Sequence, residues 1–340
     1  MKPKVLSIMP LIRFEKAEVS LPAELDFTFR HVTEEDEIIE ACRGMTFLFL
    51  PAAFPQITAT VLANIPSIRM IQSAGTGYDR VDTESAARYN IPVANSPGAN
   101  ITTVAEFTIA MMITLQRRML AADREIKAGN YQPIREQLFA GGLKEISDLR
   151  IGLVGFGAIG KKVAQIAALM GAGISYFDVF RTDPALEEQL QVTYKNFDDL
   201  LRTSDAVSIH TPLTKQTHHL IGRRELKLLP AGAILINTAR GEIVAPDALA
   251  DALEKGHLTG AAIDTIYPEP PPADHPLINL SQTAQDRLLI TPHIAGTTKS
   301  AFQRMLNQAV ANIAAVAAGQ PPKFVVNGVL KARKTNETRS

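Results

Sequence analysis

The chain has 340 residues, 46% hydrophobic and 21% charged, with 35 Lys and Arg against 35 Asp and Glu. That length suggests two domains, and the balanced charge excludes a basic field for nucleic acid or an anionic membrane. The lone Cys42 excludes an intrachain disulfide framework and reads as a small buried hydrophobe. The apolar run Val5–Met9 is too short for a secretory leader. No window reaches the roughly 18 apolar residues of a membrane span, so the cytoplasm is the default expectation.

The first hundred residues alternate apolar runs with helix-like segments. Strands are expected at Lys4–Met9, Asp26–Arg30, Met45–Leu50, Ile68–Ser73 and Pro92–Ala94. A helix between them would start at Thr33, with acids in its first turn. Strands alternating with helices imply a parallel sheet covered on both faces. A long helix is expected from about Thr102 to Lys127, with Val104, Phe107, Met111 and Leu115 as its apolar stripe, followed by irregular chain from Gly129 to Gly142.

A second alternating series follows. Its strands are expected at Arg150–Val154, Gly173–Phe177, Gln191–Tyr194, Asp205–His210, Ala233–Asn237, Gly260–Asp264 and Leu288–Thr291. Five prolines between Pro268 and Pro276 exclude helix or central strand there. A last amphipathic helix spans about Thr297 to Ala318, and the polar tail from Lys331 reads as disordered. That helix, arriving after the second series is complete, is free to return to the first domain. The second domain (100–296) then becomes an insertion into the first (1–99 and 297–330), and the crevice between them the natural active site.

The stretch Ile151-Gly-Leu-Val-Gly155-Phe-Gly157-Ala-Ile-Gly160 carries the sharpest signal. A strand, three glycines in G-x-G-x-x-G spacing, a helix, a second strand and Asp178 stand in the order of a dinucleotide site. Gly155 allows the tight turn, Gly157 lets the backbone approach a pyrophosphate, and Gly160 lets helix and strand pack closely. The helix N-terminus at Ala158 and Ile159 offers N–H groups and positive dipole to the phosphates. Asp178 can accept from the adenosine ribose and repels a 2′-phosphate, favouring NAD over NADP. Arg181, three residues on, leaves room for NADP.

In a doubly wound sheet ligands bind beyond the carboxyl ends of the strands. Those ends carry Asp178, the run His210, Thr211 and Pro212, the run Asn237 to Gly241 with Arg240, then Asp264 and His293, and the proline-rich loop adds Glu269. Hydride transfer to a carbonyl also needs a proton moved at oxygen, which a His does near neutral pH. A neighbouring Glu orients the ring and favours its charged form. An Arg clamps a substrate carboxylate in two-pronged fashion. Alone, Arg240 could be solvent-facing, Glu269 a surface acid and His293 structural; on one sheet edge they support one another. No metal-ligand pattern is expected.

Asn237-Thr-Ala-Arg-Gly-Glu-Ile-Val, Gly260-Ala-Ala-Ile-Asp-Thr with Pro268-Glu-Pro, and Leu289-Ile-Thr-Pro-His-Ile-Ala-Gly296 resemble the three signatures of the D-isomer-specific 2-hydroxyacid dehydrogenases. So do Ser73-Ala-Gly-Thr-Gly-Tyr-Asp-Arg-Val-Asp82 and Thr102-Thr-Val-Ala-Glu106, in the family's order, over roughly residues 4 to 328. The resemblance implies a Rossmann-type NAD-binding domain inserted into a flavodoxin-like α/β substrate-binding domain, usually as a homodimer. It implies that Arg240 binds substrate, that His293 is the acid/base and that Glu269 is its partner. It further implies that the backbone of Gly75, Thr76 and Gly77 holds the carboxylate. Thr103, Phe156, Pro212, Thr217, Thr238, Ala239, Asp264, His293 and Gly296 would join the glycine turn around NAD.

Ala158, Phe107 and Tyr131 depart from residues common in the family. The positions of Ala158 and Phe107 are not catalytic there, and Tyr131, where relatives often carry a Trp in the dimer arm, could reshape the pocket rim. A partly apolar substrate pocket would draw on Phe49, Leu50, Pro51, Thr76 and Tyr78. The run Pro268 to Leu277 resembles the glyoxylate/hydroxypyruvate reductases most, which makes the expected reaction NADH-dependent reduction of a small 2-keto acid. Two alternatives stay open: a 3-phosphoglycerate dehydrogenase without its regulatory domain, and an NAD-sensing protein like the C-terminal-binding co-repressors. A formate dehydrogenase is disfavoured, since that branch has Gln where this chain has Pro292.

Overall fold

The computed structural model describes residues 2–52 and 55–333. They fall into two compact units, Met1–Asn100 with Thr297–Ser340, and Ile101–Gly296. Each unit is built on one parallel sheet, as the alternation of apolar runs and helices requires.

The first unit has strands β1 (Lys4–Ser7), β2 (Asp26–Phe29), β3 (Phe47–Leu50), β4 (Met70–Ser73) and β5 (Val93–Ala94), in the order β2-β1-β3-β4-β5. That is the flavodoxin-like winding. Val5, Phe14, Phe47, Phe49 and Met70 form one side of its core together with Leu306, Ala309, Val310 and Ile313 of the last helix, Lys299–Ala317. That helix therefore returns to the first sheet. Thr298 caps it by accepting from the N–H of Ala301. Phe49 and Leu50, expected at a substrate pocket, are buried core residues. β3 is central, and helices cover both faces of such a strand, so neither side chain lines an opening. Cys42 is buried too, and burial pushes its thiol up to about 12, which leaves it unreactive.

The second unit has β6 (Arg150–Val154), β7 (Gly173–Phe177), β8 (Val192–Tyr194), β9 (Ala206–Ile209), β10 (Ile234–Asn237), β11 (Gly260–Ile263) and β12 (Leu288–Ile290). Their order is β12-β11-β10-β9-β6-β7-β8. The winding reverses between β6 and β9, which places the topological switch point at the turn after β6. Cores pack on both faces of this sheet.

Three further sequence expectations needed correction. The helix expected over Thr102–Lys127 is two helices, Ile101–Gln116 and Met119–Lys127. Arg118 between them takes a left-handed backbone conformation, φ 49°, which ends one helix and redirects the chain. The stretch Gly129–Gly142 is not irregular but holds a helix, Tyr131–Ala140. Pro133 sits in its first turn, where a missing N–H costs nothing, and only Ile134 is buried, so no apolar stripe announced it. The helix expected from Thr33 begins at Glu35, with Glu34 at the N-cap. Of the expected polar tail, residues from 334 on lie outside the described residues. Among the described residues no helix is long and apolar enough to cross a membrane.

The β7 edge is tied to the following helix, Pro184–Leu190, by a polar network. The buried Tyr176 hydroxyl donates to Glu187 (2.6 Å), and the Arg181 Nε and Nη2 donate to the same carboxylate (2.9 and 2.8 Å). The Arg181 bonds, then the Tyr176 bond, pull the Glu187 carboxyl down to about 2. Burial, and then the Glu187 charge, push the Tyr176 phenol up to about 12. A depressed carboxyl stabilises the fold above its ordinary range and loses that contribution as pH falls through the depressed value. Melting temperature measured from pH 5 to pH 2 is therefore expected to fall less steeply in Glu187→Gln than in the parent protein. Equal slopes would show that the network adds no stability.

Candidate active site

The glycine turn closes β6 onto the helix Ala158–Leu169. Gly155 has φ +95°, and a Cβ there would lie 2.7 Å from the His210 backbone. A Cβ on Gly160 would lie 2.4 Å from the Gly155 carbonyl oxygen. Both positions are closed to any side chain. Gly157 is different: a Cβ there would meet nothing within 4 Å. It stands at the N-cap of the helix with no side-chain cap, so the open space faces the uncapped N–H groups of the first turn. A glycine kept beside open space, at a helix N-terminus and at the switch point, fits the pyrophosphate of a dinucleotide.

The supporting side chains hold this turn. Asp178 accepts from the Phe156 N–H (2.7 Å) and the Phe180 N–H (3.2 Å). The Phe156 ring stacks on Tyr176 with centroids 4.0 Å apart, so its side chain is packed inward while its N–H is held by Asp178. His210 turns its ring to the Ser208 hydroxyl (2.9 Å), and burial pushes its pKa down to about 4. It remains neutral at pH 7, and its main chain is what lies against Gly155. Thr217 accepts from the Thr214 N–H (2.7 Å) and donates to the Pro212 carbonyl (2.7 Å), which shapes the loop after β9 that begins with Thr211. Thr103 is buried in the helix Ile101–Gln116, and Thr108 of the same helix shares a hydrogen bond with Thr238 (3.2 Å).

Arg240, Glu269 and His293 follow the ends of three neighbouring strands. Asn237, Ile263 and Ile290 are in register across β10, β11 and β12, and adjacent strands run about 4.8 Å apart. The residues just beyond these ends are thus drawn to one edge. Asn237 is wholly buried; its amide donates to the Arg240 carbonyl (2.8 Å) and accepts from the Ala239 N–H (3.0 Å), fixing the turn that presents Arg240. A Cβ on the next residue, Gly241, would lie 2.7 Å from the Ile266–Tyr267 backbone. The Arg240 turn therefore packs directly on the loop that leads to Glu269.

His293 Nδ1 lies 3.0 Å from Glu269 Oε2, with both side chains about one-third exposed. An ionised carboxylate only accepts, so Nδ1 carries the proton. That assigns the tautomer and leaves Nε2 as the nitrogen with no partner among the described residues. The main chain of His293 is left-handed, φ 56°. Asp264, 1% exposed, accepts from the Thr291 hydroxyl (2.6 Å) and from the N–H groups of Ile294 and Ala295 (both 2.9 Å), and its carbonyl accepts from the His293 N–H (2.7 Å). These bonds clasp the whole turn from Thr291 to Ala295, just short of Gly296.

In the first unit the turn after β4 has its carbonyls committed. Ser96 N–H donates to Gly75 (2.9 Å), the Asn95 amide to Thr76 (2.7 Å), and the Ser73 hydroxyl to Gly77 (2.7 Å). The N–H groups of Gly75, Thr76 and Gly77 have no acceptor among the described residues. Sequence reasoning missed the holders: Asn237, Thr291, Asn95 and the Glu187 network. The signal was available only for Asn237, since Asn at a strand end commonly bonds the backbone two or three residues on.

The D-isomer specific 2-hydroxyacid dehydrogenase NAD-binding domain matches residues 109–295. The chain is 37% identical to a glyoxylate reductase of Thermofilum pendens, over 84% of this chain and 82% of that one. It is 31% identical to a glycerate dehydrogenase of Methylorubrum extorquens, over 88% and 94% respectively. The D-lactate dehydrogenase of Aquifex aeolicus, solved with NAD and lactic acid, superposes with a TM-score of 0.79 at 26% identity, over 93% of this chain and 96% of that one. This chain is thus an NAD-dependent oxidoreductase, and it belongs to the D-isomer specific 2-hydroxyacid dehydrogenase family.

Proposed function

We propose that the chain reduces a small 2-keto acid, of the size of glyoxylate or hydroxypyruvate, to its D-2-hydroxy acid. The observation that carries this reading is the His293–Glu269 pair, with Nδ1 committed and Nε2 free, beside Arg240 on one sheet edge. Relatives named glyoxylate reductase and glycerate dehydrogenase support the substrate size.

The glycine turn, with Ala158, Ile159, Asp178, Thr103, Thr211, Pro212, Thr238, Ala239 and Gly296, is assigned to NAD. Asp264 serves that site by holding the turn that ends at Ala295. Bound NADH supplies the hydride. Arg240 binds the substrate carboxylate and polarises the carbonyl. His293 Nε2 delivers the proton to the carbonyl oxygen, and Glu269, 3.0 Å from Nδ1, keeps the ring oriented. The partial exposure of His293 lets solvent restore the proton. In the first unit, the N–H groups of Gly75, Thr76 and Gly77 are assigned to a carboxylate. A homodimer is further proposed, supported by exposed Met119, Leu120, Ile126, Tyr131 and Phe139 on the two helices after Gln116.

The cofactor assignment separates two glycines. Gly157→Ala is expected to fold with the parent's melting temperature yet bind NAD+ at least about tenfold more weakly in calorimetry, because its methyl fills space the pyrophosphate needs. Gly155→Ala is expected to lose about 1–3 kcal/mol of stability from backbone strain and contact. Normal NAD+ binding by Gly157→Ala would remove the pyrophosphate from this turn.

Substrate and acid/base roles separate in steady-state kinetics with NADH and a panel of glyoxylate, hydroxypyruvate, pyruvate and 3-phosphohydroxypyruvate. Arg240→Lys keeps the charge but loses the planar fork, and kcat/KM should fall on the order of a hundredfold with NADH binding unchanged. His293→Ala should cost roughly 10²–10⁴ in kcat. A parallel loss of NADH affinity in Arg240→Lys would make Arg240 a cofactor residue instead. No turnover with any member of the panel by the parent protein would exclude the substrate class.

A further inference from the structure

Arg181 lies three residues after Asp178, in the loop that follows the cofactor-side end of β7. An arginine there is a ready partner for the 2′-phosphate of NADP. It is already engaged. Its Nε and Nη2 form a two-pronged pair with Glu187 at 2.9 and 2.8 Å, and its guanidinium lies 5.4 Å above the Tyr194 ring. Glu187 is in turn fixed from behind by Tyr176, whose hydroxyl donates to it and accepts from the Thr182 N–H (3.0 Å). The side chain of Glu187 is only 11% exposed while that of Arg181 is 57% exposed. The acid is therefore the buried, anchored member of the pair and the arginine the exposed one.

We propose that Glu187 is a specificity-determining residue that acts through Arg181. It holds the Nε–Nη2 edge and neutralises the guanidinium, so that a 2′-phosphate entering this loop meets a spent cation. The inference rests on the reading that Asp178 faces the adenosine ribose, and it adds a second, separable layer to that discrimination. Asp178 repels the phosphate directly. Glu187 withholds the group that would attract it. The anchor through Tyr176 makes the second layer firm, because Glu187 cannot follow Arg181 outward without leaving a buried hydroxyl without its acceptor. Arg181 can turn toward a ligand only by breaking a charge-assisted pair whose acid is anchored through Tyr176.

The test is calorimetric titration of NAD+ and NADP+ into the parent protein, Glu187→Gln, Arg181→Ala, Glu187→Gln with Arg181→Ala, and Asp178→Ala, with melting temperatures taken alongside. Glu187→Gln retains a partner for Tyr176 and frees the guanidinium charge. It should bind NADP+ about tenfold more tightly, the scale of one charge-assisted hydrogen bond, with NAD+ affinity unchanged. Adding Arg181→Ala should erase the gain, and Arg181→Ala alone should leave NADP+ binding at the parent's level. A folded Glu187→Gln with no gain for NADP+, or a gain that survives Arg181→Ala, overturns the inference. Should Glu187→Gln fail to unfold cooperatively, Glu187→Asp, which draws the carboxylate back by one methylene, carries the same comparison with the same two readings. Asp178→Ala tests the underlying assignment separately. An unchanged NAD+ to NADP+ ratio there counts against the ribose reading, whereas a lowered ratio with a silent Glu187→Gln counts against Glu187 alone.

Discussion

The carboxylate of Asp264 is the constraint on which the rest of the active edge depends. It is buried at the end of β11 and accepts three hydrogen bonds from the turn after β12. That turn holds His293 in a left-handed conformation that a non-glycine residue adopts only when its surroundings impose it. Both oxygens of the buried carboxylate are hydrogen-bonded by the protein itself. Its effect is to convert the loose end of an edge strand into a fixed mount for an imidazole.

The same logic repeats at β10, where the buried Asn237 grips the Arg240 turn, and where Gly241 lets that turn lie flat against the chain that leads to Glu269. In each case a buried polar residue at the last position of a strand, or just past it, positions a partly exposed one, on its own turn for Asn237 and on the turn after the neighbouring strand for Asp264. A parallel sheet makes this economical, because in-register strands bring the ends of β10, β11 and β12 within about two strand spacings of one another. The glycine turn after β6 follows a different rule. It is specified by what is left out, with two glycines closed by backbone contact and a third facing open space.

Much of this was legible in the sequence. All twelve strands among the described residues were marked by apolar runs whose expected ends lie within two residues of the observed ones, and the glycine spacing with Asp178 located the switch point. The motif-bearing positions Arg240, Glu269 and His293 stood out because each chemistry-bearing residue follows an apolar strand. What the sequence hid was of two kinds. The break at Arg118 and the helix Tyr131–Ala140 depend on local backbone choices that an apolar stripe does not record. The positions of Phe49 and Leu50 depended on which strands are central, a property of topology rather than of the residues. The pairing of Glu187 with both Tyr176 and Arg181 joins residues up to eleven positions apart across a strand end and a helix, and no spacing rule announces it.

The measurement that bears most directly on this account is a double-mutant cycle between Asp264 and His293, read as kcat for NADH-dependent reduction of a 2-keto acid. Asp264→Asn puts an amide donor where the turn presents donors, so one bond of the clasp is lost and the His293 mount loosens. If Asp264 acts through His293, Asp264→Asn alone should lower kcat by at least about tenfold, and adding it to His293→Ala should cost little more, because residues that act as a unit are not additive. Parent-level kcat in Asp264→Asn, or losses that simply multiply in the double variant, would contradict the claim that this carboxylate mounts the acid/base group.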